Sequence, residues 1–140
     1  MGERENNCLK AIHMLEDMGI KVTTISSMYE TKAWGVEGQP DFMNMCVGVE
    51  ISLPPRKLLH IIKDIERQIG RVETYRWGPR VVDIDILLYG MLVINELDLI
   101  IPHPYMLERD FVLKPLIEIA PNALYPVVQK SIINIIKSRY

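Results

Sequence analysis

Eight consecutive residues near the middle of this chain, Val81-Val82-Asp83-Ile84-Asp85-Ile86-Leu87-Leu88, are apolar except for two aspartates two positions apart. A short apolar run of this kind reads as a largely buried β-strand. In a strand, residues i and i+2 leave the backbone on the same side. Asp83 and Asp85 therefore aim together, with Cα atoms roughly 6–7 Å apart, while Val82, Ile84 and Ile86 face the core. Two carboxylates so placed repel each other unless a cation sits between them. A hard divalent ion meets that need, and magnesium usually keeps waters and substrate phosphates among its ligands. A solvated acidic face is the plain alternative.

The rest of the chain supplies helices and further strands around this segment. Its 140 residues fit one domain, 1–140, large enough to bury a core without staples. Residues 4–18 form an amphipathic helix in which Cys8, Leu9, Ile12, Leu15 and Met18 make the buried stripe, with Gly19 as its stop. Residues 21–29 have the β-branched content of a strand. Residues 42–51 alternate with a period of two, Met43, Met45, Val47, Val49 and Ile51 on one face. Pro54 and Pro55 open a second helix with a stripe of Leu58, Leu59, Ile62, Ile65 and Ile69, ended by Gly70. Residues 31–40 and 71–80 are rich in glycine or polar residues and read as loops. Residues 91–94 form another strand after a turn at Tyr89-Gly90, and residues 102–105 a turn. Residues 111–119 form a helix interrupted at Pro115, and residues 131–138 a final helix. The order predicts an α+β or α/β sandwich of helices on one sheet.

Hydrophobic residues at 49% and charged residues at 24% are ordinary globular usage. A net charge of −2 argues against a dedicated nucleic-acid binder, which usually carries a basic face. No apolar run approaches the roughly 18 residues that span a bilayer, and the first residues lack a signal-peptide pattern. Cys8 and Cys46 have no metal-ligand spacing, so a reduced, cytoplasmic protein without membrane partners is expected.

Three further groups converge on the aspartate segment. Arg71, Arg76 and Arg80 fall within ten residues, and Arg109 follows later; these are four of the chain's eight arginines. Guanidinium groups grip phosphate oxygens in a planar, bidentate way, and a polyphosphate of about four negative charges needs both metal and arginine neutralisation. His103 sits between Pro102 and Pro104, which fix its backbone, and could donate to a phosphate; a turn histidine is its bland reading. Phe42, Phe111, Trp34 and Trp77 lie in or beside loops, where rings can stack on a flat heterocycle, although each taken alone fits a core. Asn44 shares a strand face with Phe42 and could read a heterocycle edge. His13 and His60 read as structural or surface residues. There is no GxxxxGK[ST] loop, no GxGxxG and no zinc spacing.

The stretch Arg76-Trp77-Gly78-Pro79-Arg80-x-x-Asp83-Ile84-Asp85-Ile86-Leu87 resembles the signature of the 6-hydroxymethyl-7,8-dihydropterin pyrophosphokinases. Gln39-Pro40-Asp41-Phe42-x-Asn44, Pro102-His103 through Arg109-x-Phe111, and Pro115-Leu116-x-Glu118-Ile119-Ala120-Pro121 agree, in the right order over nearly the whole chain. The resemblance implies an α+β, ferredoxin-like α/β/α sandwich with helices packed on a mostly antiparallel sheet. It implies transfer of the β,γ-diphosphate of ATP to the pterin hydroxymethyl oxygen, leaving AMP, with two magnesium ions on Asp83 and Asp85. Phe42 and Phe111 would sandwich the pterin, while Asn44 and the backbone of Thr31 and Trp34 read its edges. Arg71, Arg80, His103 and Arg109 would bind ATP phosphates, with Glu66 and the backbone of Ile86 near the nucleotide. Arg76 and Trp77 would belong to a closing catalytic loop. The family's first strand, ending in Gly-Ser-Asn, has no counterpart, so the domain is expected to be N-terminally short, and monomeric unless another chain or segment supplies that strand. Glu73 stands where many members carry a basic residue. A related but inactive binding protein and a ferredoxin-like nucleic-acid binder are the competing readings; the paired aspartates oppose the second, because they would repel a phosphodiester backbone lacking metal.

Overall fold

The computed structural model describes residues 2–31, 42–70 and 82–139. The chain divides into two compact units, Met1–Thr23 with Glu30–Met43 and Val49–Ile84, and Thr24–Tyr29 with Asn44–Gly48 and Asp85–Tyr140. The elements run α1 (Gly2–Asp17), β1 (Lys21–Ile25), β2 (Tyr29–Thr31), β3 (Phe42–Asn44), β4 (Val47–Glu50), α2 (Pro55–Gly70), β5 (Ile94–Glu96), β6 (Leu99–Ile101), α3 (Asp110–Ile119), β7 (Leu124–Tyr125), β8 (Lys130–Ser131) and α4 (Ile132–Lys137). This is an α+β chain, and among the described residues the strands pair as β1 with β4, β2 with β3, β5 with β6 and β7 with β8.

In the first unit, α1 packs on α2. Of the expected α2 stripe, Leu58, Ile62, Ile65 and Ile69 recur every three or four residues and are buried, while Leu59 is half-buried. Each such side chain contributes about 1.5–3 kcal/mol when fully withdrawn from water. Pro55 takes the first helical position, where its missing N–H costs nothing. The stripe expected on α1 is corrected. Asn7, Ala11, Ile12 and Leu15 are buried, whereas Leu9 and Met18 are exposed. The buried face is thus rotated toward the small Ala11, on the opposite side from Leu9. Gly19 stops α1 at a φ of +84°, a backbone state that suits a residue without Cβ. Its N–H reaches the Glu16 carbonyl at 2.9 Å and that of Ile20 the Leu15 carbonyl at 3.1 Å, the hydrogen-bond pair of a Schellman stop.

In the second unit, Met106, Leu113, Leu116 and Ile132 form a buried cluster, with Leu87, Leu88 and Cys46 packed around it. The helix expected at 111–119 is α3, and it runs through Pro115 rather than breaking there. Burial of Leu113, Pro115 and Leu116 in the core offsets the hydrogen bond that the proline ring cannot donate. The final helix starts at Ser131, whose side chain caps it by accepting from the Asn134 N–H at 3.3 Å. β5 and β6 form an antiparallel hairpin that pairs Glu96 with Leu99 across a two-residue turn. Leu99 and Ile101 point inward and Ile100 outward, the alternation of a strand with one buried face.

Four expected strands come out differently. The run 21–29 divides into β1 and β2, and 42–51 into β3 and β4. One residue accounts for both breaks. The buried Ser26 donates its N–H to the Cys46 carbonyl at 2.9 Å, and its Oγ accepts from the Cys46 N–H at 2.8 Å. A hydroxyl here takes the place of a ladder carbonyl, so regular pairing is interrupted on both chains. The strand expected over 81–88 is likewise corrected: residues 82–89 have no strand assignment. Two of its backbone groups are bonded elsewhere, the Ile84 N–H to the Glu66 carboxylate and the Leu87 carbonyl to the His103 N–H. The strand expected at 91–94 falls instead at Ile94–Glu96.

Candidate active site

Although residues 82–86 are not in a ladder, their side chains keep the period of two. Asp83 and Asp85 are exposed, and Val82, Ile84 and Ile86 are half-buried. The apolar residues hold the segment down, and the carboxylates are left toward solvent. Glu66 on α2 fixes the position between them. Its Oε2 accepts the Ile84 N–H at 2.7 Å, its Oε1 lies 3.3 Å from the Lys63 ammonium, and its side chain is only 12% exposed. This is a charge-assisted bond from the backbone of the aspartate segment to a shielded carboxylate.

In the second unit, His103 follows β6. Its N–H donates to the Leu87 carbonyl at 3.0 Å, and its Nδ1 accepts the Tyr105 N–H at 3.3 Å. The first bond fixes the His103 backbone and the second orients its ring, and Nε2 lies 3.8 Å from Asp85 Oδ2. The Asp85 side chain is 59% exposed, so it remains open to a cation in solvent. His103 and Asp85, 18 positions apart in sequence, are therefore neighbours.

Arg109 occupies the N-cap position of α3. Its guanidinium carbon lies 5.1 Å from the Tyr105 ring centre and 5.7 Å from that of Phe111. Both distances are in the range of cation–π attraction, which holds the guanidinium beside the first turn of α3. Phe111 is 38% exposed and presents area to solvent. Thr31 ends β2 and Asn44 ends β3, and these two strands pair. Ile86 is half-buried. Arg71, Arg76, Trp77, Arg80, Trp34 and the loops 32–40 and 71–80 lie outside the described residues, as does the Phe42 side chain. His13 and His60 are exposed, as a surface role requires. Cys46 is partly buried against the second core, and burial pushes its thiol up to about 11.

Sequence reasoning gave no role to Tyr105, Lys63 or Glu118. Tyr105 and Glu118 lie in stretches already singled out for other residues; their contacts are set by the fold and are not carried by the linear sequence. Glu118 accepts three hydrogen bonds at the end of α3, from the Ser27 N–H, the Ser27 hydroxyl and the Tyr29 hydroxyl.

Among the described residues, no group of three or more His, Cys, Asp and Glu side chains could by itself hold a metal ion. A pair of exposed carboxylates still fits magnesium, which takes one or two carboxylates and completes its shell with water and phosphate oxygens. No helix among the described residues is long and apolar enough to cross a membrane.

Comparison with known proteins bears on the same residues. The profile of the 7,8-dihydro-6-hydroxymethylpterin-pyrophosphokinase (HPPK) family matches residues 1–121. A 2-amino-4-hydroxy-6-hydroxymethyldihydropteridine pyrophosphokinase from Aquifex aeolicus is 45% identical over 130 residues, 93% of this chain and 81% of that protein. A protein of the same name from Bacillus subtilis is 45% identical over 120 residues, 85% of this chain and 72% of that protein. The folic acid synthesis protein fol1 of Pneumocystis carinii is 44% identical over 132 residues, 94% of this chain but 18% of that longer protein.

Proposed function

This chain belongs to the 7,8-dihydro-6-hydroxymethylpterin-pyrophosphokinase family and is a pyrophosphokinase of folate synthesis, and we propose that its reaction is organised around Asp83 and Asp85. The enzyme transfers diphosphate from ATP to the hydroxymethyl group of 6-hydroxymethyl-7,8-dihydropterin and releases AMP. The observation that carries the site assignment is the exposure of two carboxylates at alternate positions of an otherwise half-buried apolar segment, with His103 beside the second.

Asp83 and Asp85 would hold two magnesium ions through carboxylate oxygens. Bound there with ATP, magnesium would neutralise phosphate charge and favour ionisation of the attacking hydroxyl. The chain's own groups do the rest. His103, held by two backbone bonds, presents Nε2 on the Asp85 side, where it can donate to a phosphate oxygen. Arg109, steadied by two rings, adds a cation for the same phosphates, together with Arg71 and Arg80. Such fixed donors stabilise charge as it develops at the β-phosphorus. Glu66 sets the height of the aspartate segment through Ile84, and the backbone of Ile86 lies at the nucleotide. Phe111 and Phe42 stack on the pterin, and Asn44 with the backbone of Thr31 and Trp34 reads its edges. Arg76 and Trp77 close over both substrates, which aligns the attack and excludes water. The helix–strand order supports a ferredoxin-like α/β/α arrangement of the whole domain.

The test is product analysis. Incubation with ATP, magnesium and the hydroxymethyl dihydropterin yields AMP in proportion to pterin consumed. ADP as product, or none, would reject the assignment.

A further inference from the structure

The carboxylate of Glu118 joins two parts of the second unit that are about ninety residues apart in sequence. Its Oε2 accepts the Ser27 N–H at 2.8 Å and the Ser27 hydroxyl at 3.0 Å, and its Oε1 accepts the Tyr29 hydroxyl at 2.6 Å. The last distance is that of a strong bond from a hydroxyl to an ionised carboxylate. Three donors on one carboxylate occupy most of its acceptor sites, so this is a defined joint and not a loose surface pair.

The elements it joins carry the acceptor site. Glu118 lies in the last turn of α3, and Phe111 lies in the first. Tyr29 opens β2, and Thr31 closes it two residues later. β2 pairs with β3, which ends at Asn44. Phe111 thus hangs on α3, and Asn44 on the strand paired with the one that Tyr29 opens. Ser26, bonded to Cys46, breaks the regular ladder just ahead of β2. The start of β2 therefore needs another anchor, and Glu118 supplies it.

We propose that Glu118 is a positioning residue for the pterin substrate, fixing the Ser27–Tyr29 segment relative to α3 so that Asn44 and Phe111 meet the ring in register. This rests on the acceptor-site assignment above. The charged state agrees with it: the Tyr29 hydroxyl, then the Ser27 N–H, holds the Glu118 carboxyl below its ordinary range, and the same bond to Glu118 raises the Tyr29 phenol.

The experiment is steady-state AMP formation with each substrate varied in turn, alongside thermal melts. Glu118→Ala raises the KM for the pterin about tenfold and leaves the KM for ATP within about twofold, because misregister of a few tenths of an ångström falls on the stacked ring. Glu118→Gln, whose one carbonyl oxygen cannot serve both sets of donors, is intermediate at about threefold. Tyr29→Phe and Ser27→Ala each remove part of the joint and raise the same KM by about threefold; they decide the matter if Glu118→Ala does not fold. A lower Tm with both KM values unchanged, or with both raised alike, overturns the positioning role. Wild-type protein that forms no AMP overturns the reaction assignment instead, and this inference with it.

Discussion

Glu66→Ala tests whether a helix carboxylate holds the aspartate segment in place. Glu66 is shielded, and its Oε2 is 2.7 Å from the Ile84 N–H. A hydrogen bond to a charged group contributes about 1.5–3 kcal/mol, and truncation leaves the Ile84 N–H to find water or go unpaired. The Lys63 partner is half exposed and adds little, since such ion pairs contribute about 0–1 kcal/mol. The expected loss is thus about 2 kcal/mol. For 140 residues the unfolding entropy is about 0.29 kcal/mol/K, so Tm falls by about 7 °C. Glu66→Gln keeps an acceptor oxygen without the charge and costs about half as much. Ile84 lies between Asp83 and Asp85, so AMP formation falls in the same order: wild type, Gln, Ala. Differential scanning calorimetry and the AMP assay measure the two effects. A Glu66→Ala protein that melts within a degree of wild type and keeps full activity would refute the structural role given to this bond.

Other outcomes follow from single contacts. Asp85→Ala lowers AMP formation by at least about a hundredfold with Tm nearly unchanged, because the side chain is mostly in solvent; full activity in this variant excludes a metal role. Phe111→Ala weakens pterin binding about tenfold by calorimetry and ATP binding far less; equal losses contradict stacking. Met106→Ala removes a fully buried side chain from the second core and costs about 2–5 kcal/mol in urea unfolding. Cys46, with its thiol pushed up to about 11, is alkylated at pH 8 about a hundredfold more slowly than an ordinary exposed thiol. Its rate rises tenfold per pH unit until the pH passes that value, and rapid labelling at pH 8 contradicts its burial.

Periodicity by itself determined the helices. The α2 stripe of Leu58, Ile62, Ile65 and Ile69 is buried as the 3.6-residue repeat requires. Ser131 and Gly19 mark helix ends because capping is local chemistry, settled by a hydroxyl or by a missing Cβ. The exposure of Asp83 and Asp85 between half-buried neighbours was also legible, since alternation needs only an extended backbone. The family was legible too, because its motifs are contiguous. Tertiary structure decided which extended runs became ladder strands. That choice depends on a partner's N–H and C=O groups, and here Ser26, Glu66 and His103 took those bonds at positions the linear pattern does not mark. It also decided which face of α1 was buried, the one carrying Ala11 and not the one carrying Leu9. The contacts of His103 with Asp85, Arg109 with Tyr105 and Glu118 with Tyr29 belong to the same class. Each depends on distance in space between residues, and sequence spacing carries that distance only within one regular element.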